Sequence, residues 1–205
     1  DLLREAWKLG ITKEFLPEFD LAMETTQETV HHMYTVGEHI LHTLLEVRAD
    51  RILRLTMLLH DIGKPYMKTM DADGVAHFKG HPEKSSELAN EILHRLKFDN
   101  DTIRKVTKLV RYHDHRMPVT PAHVRRAIHE IGEDLFPLYL EVRRADVSAQ
   151  SMYQREEKVA DIDGVEKLYH EIMERNECVS LKMLAVTGKD LIAAGMKPGK
   201  EIGQM

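Results

Sequence analysis

Cysteine is almost missing from these 205 residues: Cys178 stands alone. A lone cysteine excludes an internal disulfide framework and a cysteine-rich zinc module, and it points to the cytoplasm as compartment. Aromatic residues are few, at 6%. Glycine (11) and proline (7) are sparse and fall as punctuation rather than in clusters. No apolar run exceeds a few residues, so no membrane span is expected. The opening stretch, DLLREAWKLG, carries charges throughout and has no signal-peptide core. Positive charge is not in excess either. With 29 basic and 34 acidic side chains the formal net charge is -5, which leaves no global footprint for nucleic acid.

Histidine is abundant, at 13, scattered from His31 to His170. Scatter rules out a tag and leaves metal ligation or proton transfer. The hydrophobic spacing reads helical almost everywhere, so the expected fold class is all-α, built from antiparallel helices with short loops. Residues 1–9 form a short helix closed by Gly10. A long helix is expected from Thr25 or Thr26 to about Val47. Asp50 caps the segment RILRLTMLLHDIG, and Pro65 forbids its continuation. Residues 64–80 hold a hairpin around Asp73-Gly74. Helices follow from His81-Pro82, from Asp99 or Asp101, from Thr120-Pro121, over 133–150 and near 155–176. A short helix flanked by glycines and lysines closes the chain. The expected division is a lead-in over 1–24, a body over 25–153 and a tail segment over 154–205.

The helix ending in His60-Asp61 is apolar on nearly every side, so it is buried. A buried carboxylate must be paired, hydrogen-bonded or on a metal. The bland alternative is a surface His-Asp pair at a helix end. Asp146 falls on the apolar stripe of its own helix with Tyr139 and Val142. Its bland partner is Arg143; its sharper one is a metal. His39 shares a face with Val36, Ile40 and Thr43, and His32 lies on the same face, so either can coordinate. Two His and two Asp without thiolates suit Mn, Fe, Ni, Co, Zn or Mg better than a structural zinc. Such a site with open positions activates water and clamps phosphate oxygens. Asp71-Ala72-Asp73 reads as a polar turn.

A helical His, then His-Asp-Ile-Gly-Lys, then a distant Asp resembles the HD superfamily of metal-dependent phosphohydrolases. That resemblance implies an HD-domain helical bundle with His39, His60, Asp61 and Asp146 as metal ligands. It gives Asp61 and Lys64 catalytic roles, with Lys64 neutralising a bound phosphate. His81 and His113 are candidates for a second ion or for phosphate. The remaining histidines receive no role.

LPEFD (16–20), QETVHHMYTVGEHIL (27–41), LRLTMLLHDIGKP (53–65), DGVAHFKGHPEKS (73–85), VRRADVSAQS (142–151) and the tail (187–203) together are similar to the C-terminal half of bacterial CCA-adding tRNA nucleotidyltransferases and poly(A) polymerases with an HD domain. This closer resemblance implies a catalytic head upstream, since no Gly-Ser turn precedes an Asp-x-Asp pair here. The absence of an initial Met agrees with a fragment. Two functions are expected from it. One is a metal-dependent phosphohydrolase acting on phosphate monoesters or 2′,3′-cyclic phosphates, with one ion or two. The other is a non-catalytic tRNA-binding body and tail with a structural or vestigial metal. Basic clusters at Arg104, Lys105, Lys108 and Arg111, at Arg125 and Arg126, and at Lys189, Lys197 and Lys200 would then meet tRNA.

Overall fold

The computed structural model describes residues 2–31, 33–176, 179, 188–197 and 199. His32, Cys178, Lys200 and much of the Gly-Lys tail lie outside them. The all-α expectation holds. The order is α1 (Leu2–Lys8), α2 (Pro17–Glu24), α3 (Val36–Thr43), α4 (Arg51–Leu59) and α5 (Lys64–Met67), then β1 (Thr69–Met70) and β2 (Ala76–His77). It continues with α6 (His81–Arg95), α7 (Asn100–Tyr112), α8 (Pro121–Ile131), α9 (Phe136–Ser148), α10 (Arg155–Glu174) and α11 (Gly188–Ala193). The antiparallel pair β1–β2 is the small hairpin expected around Asp73-Gly74. No described helix is long and apolar enough to cross a membrane.

Start signals explain the boundaries. Asp50 accepts from the Leu53 N–H at the head of α4, and Asp99 accepts from the Thr102 N–H at the head of α7. Each cap stabilises by about 1 kcal/mol. Proline stands in the first turn of α2, α6, α8 and α9, where its missing N–H does no harm.

The long helix expected from Thr25 to Val47 does not form. Thr25 ends α2 instead, and α3 begins only at Val36. Thr35 caps α3 by accepting from the Glu38 N–H, and Thr35-x-x-Glu38 is a capping-box spacing. Residues 25–31 and 33–35 form no helix because tertiary hydrogen bonds hold them. The Ala76 N–H donates to the Glu28 carbonyl at 2.9 Å, and the Ser151 N–H donates to the His31 carbonyl at 2.9 Å. The loop is therefore stitched to the hairpin on one side and to the end of α9 on the other.

Two apolar cores flank the centre. One gathers Phe19, Val36, Ile40, Leu59, Ile62, Leu88, Ile92 and Val106. The other gathers Leu109, Ile128, Phe136, Leu140, Ile162 and Val165, and thus includes α10. Between them α4 packs on α9 through Leu53, Met57, Val142 and Ala145. This arrangement brings the C-terminal ends of α4, α7 and α9 together. Unsatisfied carbonyls and macrodipoles make that end attractive to cations.

Candidate metal centre

His60 caps the C-terminus of α4 and His113 that of α7. Each imidazole Nδ1–H donates to the carbonyl three residues back, His60 to Met57 at 2.7 Å and His113 to Val110 at 2.7 Å. His81, at the head of α6, does the same to Phe78 at 2.8 Å. This bond fixes the tautomer, so the lone pair sits on Nε2. All three Nε2 atoms then face Asp61.

Asp61 is 1% exposed and divides its two oxygens between two groups. Oδ2 lies 3.3 Å from His60 Nε2 and 3.5 Å from His39 Nε2. Oδ1 lies 3.3 Å from His81 Nε2 and 3.4 Å from His113 Nε2. Asp146 completes the first group, with Oδ1 2.9 Å from His39 Nε2 and 3.9 Å from His60 Nε2. Two clusters result, His39–His60–Asp61 and Asp61–His81–His113, and each has donor atoms within 4.8 Å of one another.

The donor chemistry fits divalent ions. His81 Nε2 and His113 Nε2 are 3.2 Å apart, and His60 Nε2 and His39 Nε2 are 3.4 Å apart. Lone pairs facing each other at that distance repel unless a cation or a proton lies between them. A tetrahedral ion about 2.1 Å from two nitrogens would set them about 3.4 Å apart. The Asp61 oxygens lie close to the Lys64 ammonium and to four imidazoles but make no hydrogen bond of good angle, a state that a divalent cation among them would relieve.

Electrostatics agree with that reading. Burial alone would raise the Asp61 carboxyl, but His60 and the Lys64 ammonium beside it, with the nearby His113 imidazole, hold it well below the usual range. For Asp146 burial is likewise outweighed, here by His39 and then His60. Burial pushes the His113 imidazole down, yet the Asp61 carboxylate leaves it raised. Carboxylates this acidic stay ionised and available as ligands.

Lys64 is 5% exposed, and its Nζ lies 2.7 Å from Asp61 Oδ2 while donating to Gln27 Oε1 at 2.9 Å. Arg143, the bland partner for Asp146, donates instead to the His115 carbonyl. Asp71 accepts from the N–H groups of Asp73 and Val75, the expected polar turn. The site opens into a cavity of about 190 Å³ lined by Asp61, Lys64, His81, His113, Arg116 and Gln150 among others.

Sequence reasoning missed the supporting polar shell. Gln150 Nε2–H donates to Asp146 Oδ2 at 3.0 Å, and the Lys158 ammonium donates to Gln150 Oε1 at 2.8 Å. His31 and His77, which received no role, line the cavity mouth. Only Gln150 left a trace in sequence, four residues after Asp146 on the same helical face.

Residues 76–205 match the family model described as tRNA nucleotidyltransferase domain 2, putative. An A-adding tRNA nucleotidyltransferase of Deinococcus radiodurans is 32% identical over 96% of this chain and 46% of its own length. A CC-adding tRNA nucleotidyltransferase of Thermus thermophilus is 30% identical over 98% of this chain and 46% of its own. A bifunctional uridylyltransferase/uridylyl-removing enzyme of Ruegeria pomeroyi is 27% identical over 54% of this chain and 13% of its own. The chain thus spans about half the length of the two tRNA nucleotidyltransferases. A match that covers more than half of the chain, with the Asp61–His81–His113 cluster largely inside it, settles the kinship: this chain belongs to the tRNA nucleotidyltransferase domain 2 family.

Proposed function

We propose that this chain is the tRNA-docking part of a tRNA nucleotidyltransferase, with nucleotidyl transfer itself carried by a head joined upstream. The observation that carries this is the family match from residue 76 through the Gly-Lys tail. The named relatives add A or CC to tRNA, and that moves docking ahead of hydrolysis. The basic face of α7 supports it further. Arg104 and Lys105 are tied to Asp101, and Arg104, Lys108 and Arg111 line, with Glu130, an open cavity of about 360 Å³ between α6, α7 and α8. Binding of tRNA should weaken steeply with added salt, because each neutralised phosphate releases counterions. Replacing both Lys108 and Arg111 with Ala should reduce the slope of log affinity against log salt by about 2. Filter binding across a salt series measures this. Salt-insensitive or undetectable binding by this chain would remove the docking reading.

A second reading is favoured by a different observation, the pair of His/Asp clusters that share Asp61. In it the chain is a metal-dependent HD-type phosphohydrolase acting on phosphate monoesters or 2′,3′-cyclic phosphates in the cytoplasm. His39, His60, Asp61 and Asp146 would hold one ion, and His81 and His113 with Asp61 a second. Bound metal of the Mn, Fe, Ni, Co, Zn or Mg class supplies Lewis acidity and a water of lowered pKa. The chain's own part is to orient and to balance charge. Lys64 keeps Asp61 ionised and presents a cation to the cavity, and Gln150 holds Asp146 with Oδ1 turned inward. Ring opening of 2′,3′-cyclic AMP to an adenosine monophosphate, and phosphate release from a phosphate monoester, should appear on loading with a divalent metal and vanish on chelation. A protein that is full of metal by elemental analysis and inert on all such esters would sink the hydrolytic reading.

A further inference from the structure

Beside the metal centre three cations, Lys158, Arg116 and Arg143, gather around one small cavity, with Asp161 in its lining and Asp114 next to Arg116. Lys158 projects from the first turn of α10, and its ammonium donates to Gln150 Oε1 at 2.8 Å and lies 3.3 Å from His31 Nδ1. Gln150 in turn holds Asp146 Oδ2, so this ammonium is one side-chain amide away from a ligand carboxylate without touching it. Arg116 lines both the metal-site cavity and an adjoining cavity of about 60 Å³, in which Lys158 and Arg143 also stand. Gln150 is the other residue common to the two cavities. Arg116 has one weak acidic contact, Asp114 at 3.4 Å, and Arg143 is turned to the His115 carbonyl.

The crowding is felt by the groups themselves. Burial pushes the Lys158 ammonium down, and the positive charge of Arg116 pushes it further, while Asp146 and Asp114 pull the other way. Burial also lowers the His31 imidazole, and Lys158 and Arg116 lower it again. His31 is thereby kept as a neutral acceptor that fixes the Lys158 ammonium. Its own place is fixed by the Ser151 N–H on the His31 carbonyl. A preorganised set of cations next to a metal centre is the arrangement that a second anionic group would neutralise.

We propose that Lys158, held by His31 and Gln150, and Arg116, beside Asp114, form a second anion subsite next to the metal centre. It would take the neighbouring phosphate of a substrate whose reacting phosphate lies over Asp61 and Lys64. The substrate class is then a nucleotide chain end or a nucleoside bisphosphate, with two phosphates one nucleoside apart, rather than a simple phosphate monoester. The inference rests on the hydrolytic reading for which phosphate reacts, but the subsite is a binding property and can be read without turnover.

Calorimetric titration of the purified chain with adenosine 3′,5′-bisphosphate and with adenosine 3′-monophosphate is the test. The bisphosphate should bind at least about 10-fold more tightly, the gain expected of one charge-assisted hydrogen bond. Lys158→Met and Arg116→Gln should each bring the two ligands to within about threefold while leaving the monophosphate unchanged. Arg116 is exposed, so its substitution keeps the test valid if the Lys158 variant fails to fold. A trinucleotide ending in a 3′-phosphate that outbinds the bisphosphate identifies an RNA end as the source; equal binding identifies the free nucleotide. Equal affinity of the wild type for both adenosine ligands, or parallel loss of both in the variants, overturns the subsite. Chromatography of the titrated ligand separates the two ideas: discrimination without phosphate release keeps the subsite and rejects hydrolysis.

Discussion

Asp61→Asn should strip the protein of metal and destabilise it by about 3–5 kcal/mol, the range for breaking a buried ion pair from one side. The amide keeps the shape of the carboxylate and removes its charge. Asp61 is the one residue shared by the two clusters, so both lose a ligand together. The stranded partner is Lys64, whose buried Nζ would lose its counter-charge and keep only neutral amide oxygens, that of Gln27 and that of the new side chain, as acceptors. The sign with pH follows from the carboxyl. Its folded value lies well below the ordinary one, so its stabilisation is full above the unfolded value of about 3.9 and is lost as pH falls toward the folded value. The wild type minus variant difference should therefore be widest above about pH 5 and shrink in more acid solution. Urea unfolding of chelated samples measures this term alone, and elemental analysis of untreated samples measures the metal. Asp146→Ala is the contrast. It takes a ligand from the first cluster only, strands no lysine and should leave the Asp61–His81–His113 group intact. An Asp61→Asn protein of unchanged stability and metal content would mean that Asp61 is an ordinary core carboxylate.

Part of this cluster could be anticipated from sequence: periodicity places Asp146 on an apolar stripe and leaves His32 and His39 open, while the choice of His39 and the full ligand set follow from the resemblance to the HD superfamily. His39, Asp146 and His113 each fall on an apolar stripe, and His60-Asp61 ends an all-apolar helix. The structure draws all of them, with His81, around one carboxylate. What periodicity cannot convey is loop traffic. Gln27 and His31 sit in a segment whose spacing reads as helix but whose backbone is claimed by Ala76 and Ser151. Two nearby signals were available: Pro17 at the head of α2 and the Thr35–Glu38 capping box. Lys158 and Arg116 are also invisible in sequence, since charged residues on helix ends and loops are solvated by default. Only the meeting of α10 with the end of α9 sets Lys158 against Gln150.

The glycine after His-Asp-Ile is explained by packing rather than by backbone freedom, and Gly63→Ala should be among the most damaging single-methyl changes in the chain. Gly63 has φ of -84°, which any residue adopts. A Cβ there would lie 2.5 Å from the Ser85 backbone nitrogen, 2.8 Å from Ser85 Oγ and 2.9 Å from the Lys84 carbonyl carbon. Two of those atoms belong to the backbone of α6, so no side chain can swing aside. Restoring ordinary contact, about 3.5 Å or more, requires α6 to back away by about 1 Å. That movement stretches the buried bond from the Gly63 N–H to Ser85 Oγ, now 2.9 Å. Overpacking of about 1–3 kcal/mol and a weakened buried hydrogen bond of about 1 kcal/mol add to roughly 2–4 kcal/mol. The same movement carries His81, at the head of α6, away from Asp61 Oδ1 and His113 Nε2. Affinity for an ion in the second cluster should then fall by about 10-fold or more, while the His39–His60–Asp61 cluster, which has no residue on α6, holds its ion. Gly74→Ala is the control. Its φ of +76° strains an alanine by about 1 kcal/mol, but the new methyl group meets nothing within 4 Å. Metal titration and thermal unfolding of the two variants side by side distinguish crowding from backbone strain. If Gly63→Ala binds metal as the wild type does and Gly74→Ala is the less stable of the two, α6 is free to shift without disturbing the centre. The close approach at Gly63 would then have no part in holding His81 against Asp61.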